Sequence, residues 1–463
     1  MLMKKILVGL ALTATLSSCE KWFDVRPSSI ALATQHFERE SGFNEQLIGV
    51  YTKMASSSLY GVNMSFGFAE VLSQNYDLNS GNIYYPTAQY QYNNADVKSK
   101  IETIWTNSYN AIANLNVMLE HFDKVSPTIF SGDNFSIYQA EALGLRAFLH
   151  FDLLRLFGTS TAAGGANIAG IPYVSTYSNA ITPMSTNAEV ISKVKTDLLK
   201  ALELYGNIDS NNQNRFNRYA VLATLARVYQ WEGDLDKAKA TVEELLQKDD
   251  LFYWVHYTTM ESQHEYEWDK VFSTEAIFRL SIKDLDDVVN EYFVTSAKAS
   301  QLLNISTTKM DQIFEVTSKG YGGDYRFRNN YQFFGSTQYF SKFYQFENSR
   351  YKDLLPLIRL GEMYLILAEA ELKTDKEAAV ERLNTIREHR GTLGNTPLEA
   401  ANMTEAQVQD EIYKEYRKET IGEGQLFYYY KRLNKENIPG AAVNPRSIYK
   451  LPLPDNEIEF GNR

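Results

Sequence analysis

Two stretches concentrate side chains that recognise a ligand by ring stacking and hydrogen bonding rather than by breaking bonds. The first, Asn75 to Asp96 (NYDLNSGNIYYPTAQYQYNNAD), holds Tyr76, Tyr84, Tyr85, Tyr90 and Tyr92 among five Asn and two Asp. Gly81 and Pro86 interrupt any regular element there. Apolar residues other than the rings are few, so these tyrosines have no evident core to fill. Tyr joins an apolar ring to a polar tip, and surplus Tyr in a loop is the usual material of a recognition surface. Tyr84 and Tyr85 stand just before Pro86, which restricts the backbone preceding it. Asp77, Asn79 and Asn82 add hydrogen-bonding groups. The second stretch, Tyr321 to Tyr351, has twelve Tyr and Phe. Within it RFRNNYQFFGSTQYFSKFYQF reads as two strands around Gly335-Ser336, and cross-strand ring pairs stabilise such a hairpin without a ligand. Tyr321 and Tyr325, beside Gly322-Gly323-Asp324, are the two members best placed for binding instead. Trp254, in LFYWVHY, alternates with apolar neighbours and reads as core before it reads as site.

Catalytic patterns fail one by one. His264-Glu265 is followed by Trp268 where a zinc-protease helix needs its second His. Gly422-x-Gly424 lacks the third glycine of a dinucleotide loop and no strand precedes it. Asp209, Asn211 and Gln213 begin like a calcium loop, but Asn214 stands at the glycine position and Ala220 at the closing glutamate. Glu369 and Glu371 lie on a helix where solvation accounts for them. The six histidines are scattered, and the regular strand–helix alternation of a barrel glycosidase is missing. The expectation is a chain that is not an enzyme and uses neither cofactor nor metal.

One residue does carry covalent chemistry. Cys19 is the single cysteine of the chain, so no disulfide can form within it. It follows a charged start (Lys4, Lys5), a short apolar run from Ile6 to Leu16 and the small residues Ser17 and Ser18, the three parts of a secretory signal peptide. The run is shorter than the ~20 residues of a membrane-spanning helix. Leu16-Ser17-Ser18-Cys19 resembles the bacterial lipobox, whose cysteine is acylated and becomes the first residue of the mature protein. Two or more acyl chains anchor stably, at ~0.8 kcal/mol per buried methylene. The expected organisation is a signal peptide over 1–18 and one inseparable body over 19–463, its start (Glu20 to Ile30) serving as a stalk. The full chain has 46 Lys and Arg against 57 Asp and Glu, a net of −11, which becomes −13 when Lys4 and Lys5 leave. That balance argues against nucleic acid and against a polybasic membrane patch. The membrane is reached through the lipid alone.

The elements that must position the rings are mainly helical. Ile101 to Phe122, Tyr138 to Phe157 and Ala188 to Tyr205 carry apolar residues at helical spacing, the last two closed by Gly158 and Gly206. In Tyr219 to Leu246, the residues Leu225, Ala226, Tyr229, Gly233, Ala238 and Leu246 fall where a tetratricopeptide repeat puts its packing positions, with a turn at Gly233-Asp234. Leu357 to Arg390 forms a second such pair, turning near Thr374-Asp375. Isolated pairs cannot bury their apolar faces, so about three must stack. Residues 248–350 carry no comparable pattern and form a long insertion. The fold class is mostly α: repeat-type helix pairs as a scaffold, with loop- and hairpin-containing insertions.

With these motifs in order the chain resembles the SusD/RagB nutrient-binding lipoproteins of glycan-foraging Gram-negative bacteria. The resemblance rests on CEKWFDVRP after the lipobox, EALGLRAFLHFDLLRLFG (Glu141 to Gly158), RYAVLATLARVYQWEGD (Arg218 to Asp234), LIRLGEMYLILAEAEL with LNTIREHRG (Leu357 to Leu372, Leu383 to Gly391), EYRKETIGEGQLFYYYKRLN (Glu415 to Asn434) and LPLPDNEIEFGN (Leu451 to Asn462). Phe427-Tyr428-Tyr429 departs from the family's more polar step. The resemblance implies a SusD-like fold and a lipid-anchored outer-membrane protein facing the cell exterior. It also implies a role as lid on a SusC-like, TonB-dependent transporter, to which it hands a captured oligosaccharide. Ligand residues differ between members, so none carries over by position. A sugar's apolar faces need flat rings and its hydroxyl rim needs amides and carboxylates. The candidates are therefore Tyr76, Asp77, Asn79, Asn82, Tyr84, Tyr85, Tyr90 and Tyr92, then Tyr321 and Tyr325. A peptide-binding lipoprotein of the same type and a helical-repeat assembly factor at the outer membrane remain as alternatives.

Overall fold

The structure is a computed structural model that describes residues 35–208, 210–247, 251–260, 264–293, 297–334, 337–392 and 397–461. Cys19, the signal peptide, the stalk, Asp209 and the Gly335-Ser336 turn lie outside the described residues.

Helices form where the apolar spacing runs, and polar caps fix their starts. α1 spans Glu40–Ala55 and α2 spans Ala95–Phe122. α2 begins earlier than its apolar pattern because the Asn94 side chain accepts from the N–H groups of Asp96 and Val97. α3 (Asn134–Phe157) is buried from Ala140 onward on nearly every face, since α2 and α4 (Asn187–Tyr205) flank it. Thr186 and Glu189 form a reciprocal capping box at the start of α4. α5 (Arg218–Glu232) and α6 (Leu235–Leu246) make the predicted hairpin. Gly233 turns it at φ 92°, a left-handed conformation that favours glycine, and Asp234 caps α6 through the Lys237 N–H.

The insertion then intervenes. It contributes β1 (Ala276–Ser281), α7 (Leu285–Tyr292), α8 (Thr307–Phe314) and the two strands β2 (Tyr331–Phe334) and β3 (Thr337–Phe340). β2 and β3 pair antiparallel, Tyr331 opposite Phe340 and Phe334 opposite Thr337, as the sequence predicts. The chain re-enters the scaffold through β4 (Leu354–Arg359), α9 (Leu360–Glu371), α10 (Lys376–His389), α11 (Glu405–Thr420) and α12 (Leu426–Arg432). Here one expectation changes: Leu357 to Arg359 belong to a strand, not to the helix. β4 pairs antiparallel with β1, which satisfies backbone groups that a helix start at Leu357 would leave open.

The helices pack in chain order, α1 on α2, α2 on α3, and so on to α5 on α6. α6 then packs on α9, α9 on α10, and both on α11. The repeat-like stack therefore continues across the insertion, whose β1 packs on α1 and α5. Ala226 and Ala238 are fully buried where the hairpin closes, which is what small residues at those positions allow. Among the described residues no helix is long and apolar enough to cross a membrane.

Candidate functional site

The first tyrosine-rich stretch is tied down far more tightly than its composition suggests. Tyr76, Tyr84 and Tyr90 are 6%, 2% and 7% exposed, so the expectation that these rings present themselves to a ligand is corrected. They do have a core to fill, and for Tyr76 and Tyr84 the insertion supplies it. Tyr76 packs against Phe293 and Phe340, and Tyr84 against Tyr292 with the Lys100 ammonium 5.2 Å from its ring centroid. The Tyr90 hydroxyl donates to the Leu72 carbonyl (2.9 Å) and the half-buried Tyr92 hydroxyl to that of Ile448 (2.7 Å).

The polar candidates are mostly spent on the same docking. Asn82 is buried, donating to the Leu302 carbonyl (2.9 Å) and accepting from the Tyr84 N–H (2.9 Å). Asp77 pairs with Lys309 (2.7 Å) and accepts from the Ser306 N–H (2.7 Å). Burial pushes the Asp77 carboxyl up, but these partners outweigh it and hold it below its ordinary value. Asn79 caps its own turn through the Gly81 N–H (3.0 Å) and stays exposed. Tyr85 is half-buried. Tyr90 and Tyr92 also line one wall of an open groove of about 720 Å³, facing Ile448, Leu451 and Pro452.

A different part of the insertion presents its rings outward. Tyr253, Tyr257 and Tyr266 are 61%, 46% and 58% exposed. Tyr257 stacks on half-buried Tyr325 (centroids 5.7 Å, 29° between planes). Trp268 lies flat on Phe346 (3.8 Å, 15°), with Tyr344 edge-on to the latter (4.9 Å). The two groups are joined, because the Asp269 N–H donates to the Thr259 carbonyl and the Trp268 indole N–H to that of Met260. Arg350 sits beside the rings of Tyr266 (5.9 Å) and Tyr351 (4.9 Å) and pairs with Glu267 (2.6 Å). Trp254 is half-buried, stacked on His389 (4.7 Å, 7°), in keeping with its reading as core. Tyr321 is half-buried with the Arg387 and Lys418 cations at 4.8 and 5.4 Å from its ring, an inward-facing role. Of the predicted binding residues, Tyr325 alone joins this surface.

What holds the surface is a small apolar cluster standing on buried charge. Val255, Met260 and Phe272 form the cluster, and Tyr325 packs on it. Phe272 adopts left-handed backbone at φ 59°, a genuine outlier for a bulky residue. Asp269 holds that turn by accepting from the N–H groups of Ser273 and Thr274 (2.8 and 3.2 Å). Burial pushes the Asp269 carboxyl up to about 6 despite those bonds. It pushes the neighbouring Lys270 ammonium down to about 7. The Phe272 ring faces the guanidinium groups of Arg390 (4.6 Å) and Arg359 (5.1 Å). Those cations bind Glu275, Glu419 and Glu423, and Arg326 joins through Glu415, Glu419 and Asp324. Burial alone would raise the Glu419 carboxyl; Arg390, Arg326 and Arg359 outweigh it and hold it well below the usual range.

Sequence reasoning missed Tyr253, Tyr257, Tyr266 and Trp268. The available signal is short: in LFYWVHY the buried Phe252 and Val255 alternate irregularly with exposed Tyr253 and Tyr257, a spacing that fits neither helix nor strand. The arrangement can stack flat apolar faces, with the Arg350–Glu267 ion pair beside the rings. Among the described residues no group of three or more His, Cys, Asp or Glu is arranged to hold a metal.

Comparison with known proteins adds the family. A family model described as "SusD family" matches residues 152–456, and one described as "Starch-binding associating with outer membrane" matches residues 21–230. The chain is 26% identical over 237 residues to SusD-like protein P38 of Formosa agariphila, a match covering 50% of this chain and 42% of that one. It spans less than half the length of the curated relatives it matches. A SusD-like carbohydrate binding protein of Bacteroides vulgatus superposes with a TM-score of 0.74 at 20% identity, covering 92% of this chain and 96% of the other. A laminarin binding SusD-like protein gives 0.68 at 19%, covering 91% and 98%. These likenesses show the fold. The helix-pair scaffold, its order and the matched span together place this chain in the SusD family.

Proposed function

We propose that this protein captures a neutral oligosaccharide at the surface formed by Tyr253, Tyr257, Tyr266, Trp268 and Tyr325. The observation that carries the reading is the presence of three well-exposed tyrosines on one rigidly supported insertion. Exposed rings gathered on one surface, unlike rings scattered singly, mark a place where something stacks on them. Family membership supports carbohydrate as the ligand class, and one structural neighbour is named for binding laminarin. The Arg350 cation beside the Tyr266 and Tyr351 rings is matched by the Glu267 carboxylate. A uronate or sulfated glycan would therefore have to displace a partner, and binding to a neutral one is nearly insensitive to salt.

The finer reading follows from the sequence. Residues 1–18 are removed, Cys19 carries the acyl chains, and the body over 19–463 sits on the outer membrane facing outward. It acts as a binding protein without catalysis and passes its ligand to a SusC-like, TonB-dependent transporter, against which the helical stack docks. Calorimetric titration with laminarin and a panel of neutral and acidic oligosaccharides tests capture. Loss of binding in Tyr257→Ala and Tyr266→Ala, with folding intact, is the expected result. Binding of peptides but of no glycan would replace this reading with the peptide-binding one. Co-purification from membranes with a large β-barrel partner tests delivery.

A further inference from the structure

The Arg390–Gly391 corner ends α10 in the scaffold, where the guanidinium also binds Glu419 of α11, yet several of its groups reach toward the ring surface. The Arg390 carbonyl accepts the Tyr325 N–H (2.9 Å). Its guanidinium grips both oxygens of Glu275 (2.7 and 2.8 Å), and Glu275 Oε1 in turn accepts the Val255 N–H (2.9 Å). The same guanidinium lies 5.1 Å from the Trp254 ring and 4.6 Å from that of Phe272. Gly391 is left-handed at φ 73°, and a Cβ added there would lie 2.6 Å from Tyr325 Cζ and 3.0 Å from the Gly323 carbonyl oxygen. A glycine at a helix end ordinarily serves only to terminate it. This one also leaves the space into which the Tyr325 ring settles, under Tyr257.

We infer that Arg390 and Gly391 are the positioning residues of the ligand surface, a role that rests on the carbohydrate reading of that surface. One backbone corner sets the height of two of the three chain segments that carry its rings: 253–257 through Glu275, and 325 through the carbonyl and the missing side chain. The scaffold motif LNTIREHRG thus has a second use beyond ending its helix.

A double-mutant cycle tests this, with Gly391→Ala, Tyr325→Ala and the combination, read by urea midpoint and by titration with laminarin. If Gly391 seats the Tyr325 ring, Gly391→Ala lowers the midpoint in the native background and by less than half as much once the ring is gone. Laminarin affinity falls at least fivefold in Gly391→Ala and no further in the double variant than in Tyr325→Ala. Arg390→Lys, which keeps the charge but loses the fork, is a second arm followed by hydrogen exchange. Exchange rises at Val255 and Tyr325 while the 218–246 hairpin is unchanged; uniform acceleration overturns the inference. So do additive midpoint shifts, or native laminarin affinity in Gly391→Ala. If the unaltered protein does not bind laminarin, the glycan reading loses its support, and the ligand-free midpoint and exchange measurements still decide the corner.

Discussion

Tyr84 and Tyr257 separate the two candidate surfaces in a single comparison. Tyr84 is 2% exposed and Tyr257 46%. Replacing Tyr84 with Ala removes a buried ring that packs against Tyr292 and faces the Lys100 ammonium, at a cost of roughly 3–5 kcal/mol for a buried aromatic. That is a fifth or more of the total stability of a typical domain, about 5–15 kcal/mol. Replacing Tyr257 with Ala forfeits mainly its stacking on Tyr325, about 1 kcal/mol. Denaturant titration of both variants should therefore show a large drop in midpoint for Tyr84→Ala and a small one for Tyr257→Ala. Glycan titration below the melting range should show the reverse order, with at least a tenfold loss, about 1.4 kcal/mol, only for Tyr257→Ala. A Tyr84→Ala protein that melts normally and loses glycan binding would refute the argument. It would return the site to the Asn75–Asp96 loop.

Three further outcomes are expected. His150 donates from Nδ1 to the Arg146 carbonyl and accepts the Val174 N–H at Nε2 (2.8 and 3.0 Å), so burial pushes its imidazole down to about 3. Its folded value lies below the unfolded one near 6.5, so its contribution is full above pH ~6.5 and is lost as pH falls toward 3, roughly 2–3 kcal/mol by pH ~4.5; His150→Gln should flatten that part of the stability profile. Ala226→Trp overpacks a fully buried position in the α5–α6 hairpin, costing about 1–3 kcal/mol, and should lower stability and transporter association together; normal stability with selective loss of sugar binding contradicts the docking role. Cys19→Ala should move the protein from membrane to soluble or unprocessed fractions with loss of acyl label, and unchanged partition rules out lipidation there.

Local rules were enough for the scaffold. Apolar spacing, caps such as Asn94 and Asp234, and Gly233 at φ 92° act within a few residues, so α2 to α6, α9 and α10 were legible, as was the β2–β3 hairpin. Leu357 to Arg359 were misplaced because a strand needs a partner, and β1 lies some eighty residues earlier. The site was less legible for the same reason. Whether a tyrosine is core or surface depends on what covers it, and the covers of Tyr76 and Tyr84 are Phe293, Phe340 and Tyr292, more than 200 residues away. The loop looked unburied because its core is not in its own sequence. Conversely Tyr253 stands between Phe252 and Trp254 in the sequence, and the exposure of Tyr253 and Tyr257 accompanies the inward turn of Val255, Met260 and Phe272. Family and helix order reside in contiguous residues, which sequence alone specifies. Which rings face water was decided by tertiary packing, because burial is a property of pairs of distant segments.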